Sequence, residues 1–255
     1  MKAQQRTETD SLVPQRTSRR AILGLALGGL ALLAGLEVTA AKPKRRLKNK
    51  AKQGGKAKSN AKLSASAKRR QPRKPKFKTV TRVFTNASPI SISATREAAN
   101  PFPSKLNVAG FKQGKLLDLN VTLSGFSHTY PGDVDVLLVA PNGSSAVIFS
   151  DLGGSTDVSN LTFVLDDQTG AILPPLGQQL GSGTFKPTNE DLADTFPSPA
   201  PYSTSNTALA TFNGINPNGS WRLFVADDFS TADGGSLDGG SFAGWSLTIK
   251  ARVRV

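Results

Sequence analysis

The sequence predicts an all-β fold of the β-sandwich or jelly-roll type. Short apolar runs with a period of two residues are separated by clusters of Gly, Pro, Asn and Asp, and no window has the pattern of a long amphipathic helix. Among the acids of residues 79–255, thirteen are Asp and two are Glu, which favours turns over helices. Many short strands joined by turns are typical of sandwiches and jelly rolls.

The expected strands can be taken in order along the chain. Leu117, Leu119, Val121 and Leu123 alternate with polar residues, as in a strand with one buried face. A denser apolar run at 134–139 is followed by a turn at Asn142-Gly143 and by a returning strand. Asn218-Gly219 is a second turn dipeptide placed before a strand. The remaining runs are 146–149, 161–165, 221–226 and an alternation from Trp245 to Val255, and Trp221 and Trp245 are expected to fill the core.

Residues 166–210 are irregular and rich in Pro, Gly, Ser and Thr. A connection of this length is either a functional loop, such as a lid or a partner-recognition surface, or an irregular crossover packed against the sandwich. The sequence pattern leaves both interpretations open.

The first 41 residues have the parts of an export signal. Arg19-Arg20 precede sixteen uncharged, mostly apolar residues, and cleavage is expected after Ala40. The paired arginines resemble the twin-arginine export motif, and the apolar run is shorter than the roughly twenty residues of a membrane-spanning helix. We therefore expect an exported protein, extracellular or associated with the cell envelope. An uncleaved membrane anchor is the alternative.

Residues 42–78 form a basic segment that is expected to be a disordered linker. They carry 17 Lys/Arg and no acid, and they contain little apolar surface to bury. One interpretation is attachment to an anionic envelope polymer, to lipid headgroups or to nucleic acid; the other is a solubilising spacer. Phe77 is the one aromatic residue of the segment, so specific binding of nucleic acid is not expected.

The predicted folded domain, residues 79–255, has the opposite charge. It carries 10 Lys/Arg and 15 acids, a net charge of −5, so the high overall charge of +14 comes from the linker. The chain has no cysteine, which excludes disulfide bonds and thiolate metal sites.

The sequence offers little support for catalysis. His128 is the single histidine, and its neighbour Ser127 would point to the other side of a strand. We expect no catalytic residue, and we interpret His128 as a turn residue hydrogen-bonded within the sandwich.

Aspartates are the candidate metal ligands. A set of oxygen donors without His or Cys favours a hard cation, and outside the cell that cation is Ca²⁺. The hypothesis is one structural Ca²⁺ held between loops; the alternative is that these aspartates serve turns and strand ends. The candidate ligands are Asp133, Asp135, Asp166, Asp167 and Asp227.

Several ordered blocks between residues 85 and 255 resemble the P/Homo B domain, which follows the catalytic domain in kexin/furin-type proprotein convertases and in many bacterial subtilisin-like proteases. The blocks are Ser127–Gly143, Asp151–Gly154, Phe163–Asp167, Gly183–Pro187, Phe212–Gly214, Pro217–Leu223 and Gly244–Ile249. The motif residues are His128, Gly132, Pro141, Gly143, Phe212, Asn213, Gly214, Asn218, Gly219, Trp221, Gly244 and Trp245.

The resemblance implies a jelly-roll sandwich of about eight to nine strands. It further implies a non-catalytic module that stabilises or recruits a subtilisin-like serine endopeptidase supplied by another chain. Two other functions stay open at this point. One is a surface adhesion or scaffold module unrelated to proteolysis, and the other is polyanion binding through the basic linker.

Overall fold

A computed structural model describes residues 74–93, 97–190, 194–201, 204–228 and 239–255. The described residues form twelve strands: β1 (Phe77–Asn86), β2 (Ile90–Ile92), β3 (Ser104–Val108), β4 (Lys115–His128), β5 (Val134–Val139), β6 (Ser145–Ser150), β7 (Val158–Leu165), β8 (Gly183–Phe185), β9 (Thr188–Asn189), β10 (Gly219–Asp227), β11 (Gly240–Phe242) and β12 (Gly244–Arg254). Two short 3₁₀ turns accompany them, at Pro131–Asp133 and Leu209–Phe212.

The strands make two sheets that enclose one core, and the predicted β-sandwich is confirmed. The seven-stranded sheet has the order β1-β12-β4-β11-β2, with β7 also paired to β4 and β8 to β7. The five-stranded sheet has the order β3-β10-β5-β6-β9. Within the described residues, eight strands have five or more residues (β1, β3, β4, β5, β6, β7, β10 and β12), and the other four are short additions at sheet edges and ends.

Aromatic side chains fill the space between the sheets. Phe126 of β4 stacks on Phe242 with ring centroids 4.6 Å apart, and it meets Phe149 and Phe163 at 5.7 and 5.9 Å. Trp221 and Trp245 are buried, as the sequence predicts. A buried indole needs a hydrogen-bond acceptor, and the Trp245 Nε1–H donates to Ser104 Oγ at 2.9 Å.

Strand β5 is buried at all six positions, because both faces of its sheet are covered. One face lies against the main core. On the other face, Leu137 and Val139 contact a second apolar cluster that includes Phe102, Phe196 and Ala200. Residues of the irregular segment therefore cover the outer face of the five-stranded sheet.

The described part of the irregular segment 166–210 is a packed crossover. It adds β8 in parallel to β7 and β9 in parallel to β6, so it bonds to both sheets. Leu173, Leu180 and Leu209 are buried in the main core. Of the two interpretations of this segment, the packed crossover accounts for these contacts.

One detail of the predicted alternation is wrong. Leu119, Val121 and Leu123 are buried, but Leu117 is 43% exposed. The register between β12 and β4 shifts between Lys250, which pairs with Asp118, and Ala251, which pairs with Leu116. This irregularity inserts one residue into β4 and turns Leu117 to solvent, while the buried position passes to Leu116.

The first strand begins earlier than the expected domain start at residue 79. Phe77 and Lys78, the last residues of the basic segment, pair with Arg254 and Val253 in the sheet. Arg19, Arg20, Ala40 and the rest of the predicted signal and linker up to residue 73 lie outside the described residues. In the part of the chain that the structure describes, no helix is long and apolar enough to cross a membrane.

The irregularity in β4 makes a matched pair of leucine substitutions informative. Leu119→Ala is expected to lower the free energy of unfolding by about 2–5 kcal/mol, because it leaves a cavity in the core. Leu117→Ala is expected to change it by about 0.5 kcal/mol or less, since that side chain faces solvent. Urea unfolding of the full chain, followed by tryptophan fluorescence, measures both; equal losses would contradict the assigned register.

Candidate functional site

Three buried aspartates meet where β5 begins and where β6 and β9 end, at the same end of the sandwich. Antiparallel pairing of β5 with β6 sets Asp135 beside Ser150 at the end of β6. Parallel pairing of β6 with β9 sets Ser150 opposite Asn189. The chain then supplies Asp151 directly after β6 and Asp194 five residues after Asn189.

Each of Asp135, Asp151 and Asp194 offers a carboxylate oxygen, and these oxygens all lie within 4.8 Å of one another. The three residues are 0%, 6% and 0% exposed. Carboxylates this close repel one another, and their burial is costly unless their charge is offset. The backbone of Asp151 is left-handed (φ 56°), a conformation that Asp tolerates better than most residues. We call these three side chains the aspartate cluster.

Neutral oxygen and amide groups surround the aspartate cluster. Ser150 Oγ lies 2.6 Å from Asp135 Oδ1 and 2.9 Å from Asp151 Oδ2. The amide Nδ2 of Asn189 donates to Asp194 Oδ2 at 2.6 Å. The carbonyl Oδ1 of Asn189 is buried and has no hydrogen-bond partner among the described residues. The donor set consists of carboxylate, hydroxyl and amide oxygens, which is the chemistry that Ca²⁺ prefers.

Of the five predicted ligands, Asp135 belongs to the aspartate cluster, and two others lie at the same end of the sandwich. Asp227 ends β10, and its Oδ2 is 3.3 Å from Nε2 of His128. Asp133 lies in the 3₁₀ turn, and its carbonyl accepts the N–H of Asp228 at 2.9 Å. Both residues are buried.

Asp166 and Asp167 have other hydrogen-bond partners. Asp166 Oδ2 accepts from Asn120 Nδ2 at 3.1 Å, and its Oδ1 accepts from the N–H of Gln168 at 2.8 Å. Asp167 accepts the N–H groups of Leu209 and Ala210, at 3.0 and 2.7 Å, where the second 3₁₀ turn begins. These two carboxylates satisfy backbone and amide donors at a turn and at a helix start.

His128 is buried, and its ring is held among neighbouring polar groups. Nδ1 accepts the N–H of Tyr130 at 3.1 Å, and Nε2 lies 3.3 Å from Asp227 Oδ2. Ser127 Oγ accepts from the N–H of Asn160 on the other side of the strand. The two neighbours therefore point apart, as the sequence predicts.

The other family-motif residues lie at turns and in the core. Gly143 and Gly219 have φ of 92° and 130°, which suits the turns predicted there. Asn218 bonds to both backbone groups of Phe111, at 2.7 and 3.0 Å. Phe212 packs edge-on against Trp221 with centroids 5.3 Å apart. The remaining positions are Gly132 in the first 3₁₀ turn, Pro141 at the β5–β6 turn, Asn213 and Gly214 after the second, and Gly244 and Trp245 at the start of β12.

Sequence reasoning missed Asp151 and Asp194 as potential ligands. Asp151 directly follows a predicted strand next to the one that carries Asp135, and strand-end acids on neighbouring strands tend to meet. That signal was available in the sequence. No such signal existed for Asp194, because this residue lies in the irregular crossover, and the parallel pairing of the crossover with β6 has no local sequence pattern.

No family model matches the chain, and no curated protein matches it. Several solved chains are similar to it, among them two at low identity from Aeromonas sobria. The serine protease of Aeromonas sobria in complex with the chaperone ORF2 is 13% identical, with 71% of this chain and 28% of that chain covered and a TM-score of 0.33. The Aeromonas sobria serine protease alone is 15% identical, with 72% and 28% covered and a TM-score of 0.32. This chain thus matches just over a quarter of the length of these proteases.

Asp167→Ala tests the structural role assigned to that carboxylate. The substitution is expected to lower the free energy of unfolding by about 1 kcal/mol, because two N–H groups lose their acceptor. Asp167→Asn, which retains one acceptor oxygen, is expected to lose less. Urea unfolding of the full chain measures both, and a loss below the experimental error for Asp167→Ala would contradict this role.

Proposed function

We propose that this chain is an exported, non-catalytic P/Homo B-like module that stabilises or recruits a subtilisin-like serine endopeptidase supplied by another chain. The ordered set of family blocks between residues 85 and 255 carries the proposal. In this proposal the twin-arginine-type signal directs export, and the basic segment 42–78 holds the module near the anionic envelope.

The positions of the motif residues support this assignment. The block Ser127–Gly143 spans the end of β4, the first 3₁₀ turn, β5 and the following turn, so this one segment connects the two sheets. Within the segment, His128 is hydrogen-bonded to the backbone of Tyr130, and the carbonyl of Asp133 accepts the backbone N–H of Asp228, the residue after β10. The motif therefore maintains the architecture of a binding module, and its side chains are committed to the fold.

The exposed part of the irregular segment is the surface that this proposal assigns to the protease. Ile172 and Leu176 are 65% and 52% exposed, although they flank the buried Leu173. Leu176 also lies against Gly132 of the family motif, where an added Cβ would come within 2.7 Å of its Cδ1. Two large apolar side chains held by a packed loop suit a protein partner better than a charged polymer.

The test is affinity capture from envelope extract with the full chain as bait, washed at low and high salt. We expect high-salt recovery of a protein that carries a subtilisin-type catalytic triad. The purified pair should show a longer half-life of the protease at elevated temperature. The double variant Ile172→Asp/Leu176→Asp should weaken both effects at least tenfold, because apolar contacts are lost.

Val83→Asp/Leu117→Asp is the matched control. These side chains are also exposed, but they lie on the seven-stranded sheet, so the control should bind as the parent chain does. Recovery of wall or adhesin components without a protease at high salt would refute the accessory function and favour an adhesion or scaffold module. Binding that disappears at high salt would favour a polyanion-binding function of the linker.

We further propose that the module holds one structural Ca²⁺, with Asp135, Asp151 and Asp194 as ligands in place of the five-residue set expected from the sequence. The oxygen-only donor set and the buried, unpartnered Asn189 Oδ1 support this fit. When bound, the ion would offset the charge of the three carboxylates. Ser150 and Asn189 would orient the carboxylates through their hydrogen bonds.

Calcium is therefore expected to stabilise the full chain against urea. At a free calcium concentration a hundred times the dissociation constant, the free energy of unfolding is expected to be about 2.7 kcal/mol higher than in chelator. Asp151→Asn and Asp194→Asn should abolish most of this gain, because each removes a ligand charge. Asp166→Asn and Asp167→Asn should keep the gain even where they lower stability in chelator.

If Asp166→Asn or Asp167→Asn instead loses the stabilisation by calcium, the substituted residue is a ligand, as the sequence analysis expected. That result would contradict the aspartate cluster as the site. Identical unfolding in calcium and chelator would refute the calcium proposal altogether. Magnesium serves as the specificity control, because Mg²⁺ demands near-octahedral geometry and keeps several of its waters, whereas Ca²⁺ accepts flexible sets of protein oxygens.

A further inference from the structure

The last strand carries a row of cations on the outer face of the seven-stranded sheet. Lys250, Arg252 and Arg254 are exposed, whereas the intervening Ala251 and Val253 are buried. Side chains two residues apart on a strand share a face and are about 7 Å apart. The three charges therefore form a straight, evenly spaced line, which we call the cationic row.

Neighbouring strands extend and position the cationic row. Lys115 of β4 lies opposite Arg252 and adds a fourth charge beside it. On the other side, Phe77 of β1 lies opposite Arg254, and its ring stacks against the Arg252 guanidinium at 4.9 Å. Arg254 Nη1 donates to Gln113 Oε1 at 3.2 Å. Two of the guanidinium groups are thus held in place before any ligand arrives.

The charge is concentrated at this end of a domain that is acidic as a whole. Residues 79–255 contain ten Lys/Arg, and five of them are Lys112, Lys115, Lys250, Arg252 and Arg254. Asp118, opposite Lys250, is the one acid in the described strands β1 and β12 and the facing part of β4. The buried aspartates lie at the other end of β4, beyond His128. The separation of the cations at one end of β4 from the buried aspartates at the other end is therefore set by the pairing of the strands and not by the composition of the domain.

The cationic row also adjoins the basic segment. Lys74 and Lys76 precede β1, and Phe77 begins the strand that pairs beside the row. These two lysines therefore place further cations just before the strand beside the row.

We propose that the cationic row binds a linear, base-free phosphodiester polymer. A straight row of charges matches a chain with one phosphate per repeat, and guanidinium groups bind phosphate oxygens through paired hydrogen bonds. Thr79 and Thr81, opposite Arg252 and Lys250, add hydroxyl donors on the same face. Phe77 contributes a single aromatic ring, with one face covered by Arg252, so it cannot stack a run of successive bases.

The test compares two variants of the full chain that lose three cations each. Lys250→Gln/Arg252→Gln/Arg254→Gln removes the cationic row, and Lys105→Gln/Lys186→Gln/Arg222→Gln removes three cations elsewhere on the domain. The probe is poly(glycerol phosphate) of defined length, with the binding constant measured from 50 to 300 mM salt. Single-stranded DNA of equal charge and phosphatidylglycerol vesicles are the comparison ligands.

Each neutralised phosphate contributes about 0.7–0.9 to the slope of log K against log salt, by analogy with nucleic acids. The row variant is therefore expected to lower the slope by about two on poly(glycerol phosphate), while the control variant leaves it near that of the parent. Arg252→Lys/Arg254→Lys should keep the slope, which separates charge from packing against Phe77. Equal slopes for both triple variants would overturn the proposal, and so would a dependence on the row that is seen with DNA or vesicles alone.

Discussion

Burial of the inner face of strand β4 against the five-stranded sheet is the constraint on which the rest of the structure depends. This strand pairs with β12 over most of its length, with β11 at its end and with β7 on its other side, so three neighbours take their register from it. Leu119, Val121, Leu123 and Phe126 are all almost fully buried. A slip of one residue would expose all four, because side chains alternate between the faces of a sheet. The hydrophobic effect therefore fixes the register, and the register decides which charged residues meet at the two ends.

The two candidate sites lie at opposite ends of this strand and differ in their physical character. At the end marked by His128, aspartates are buried and stand close together, and this is the proposed Ca²⁺ site. At the end marked by Lys115, lysines and arginines are exposed on an open sheet face, and this is the proposed site of the polyanion. Burial makes the first set sensitive to the loss of a single oxygen, whereas the second acts through the sum of several solvated charges. A calcium requirement and a polyanion affinity would therefore respond to different substitutions.

The described part of the irregular crossover is attached to both sheets and still leaves two large apolar side chains exposed. Its buried leucines and its two short parallel strands attach it to the two sheets, and Phe196 covers an apolar face that would otherwise be exposed. Two backbones also approach closely at Gly154, where an added Cβ would lie 3.2 Å from the Cα of Gly177. With so many anchors the loop between them is held in position. The apolar side chains that remain outside, Ile172 and Leu176, are thus presented at little entropic cost.

The sequence by itself determined the all-β class, the positions of six of the eight longer strands, the turns at Asn142-Gly143 and Asn218-Gly219, the burial of both tryptophans and the opposite directions of Ser127 and His128. These features follow from local signals: a period of two, residues that adopt positive φ, and adjacent side chains that point apart. The sequence also placed Asp135 among the candidate ligands, as one of several oxygen donors in a set without His or Cys. Strands β1 and β3 were not among the predicted strands. Tertiary structure alone decided that Leu117 faces solvent, that Asp151 and Asp194 join Asp135, and that Asp167 caps a 3₁₀ turn 42 residues away. It also decided that β12 aligns its cations beside Lys115. Each of these depends on pairing between segments far apart in the chain, and the energy of such pairing comes from contacts that no local pattern of residues records.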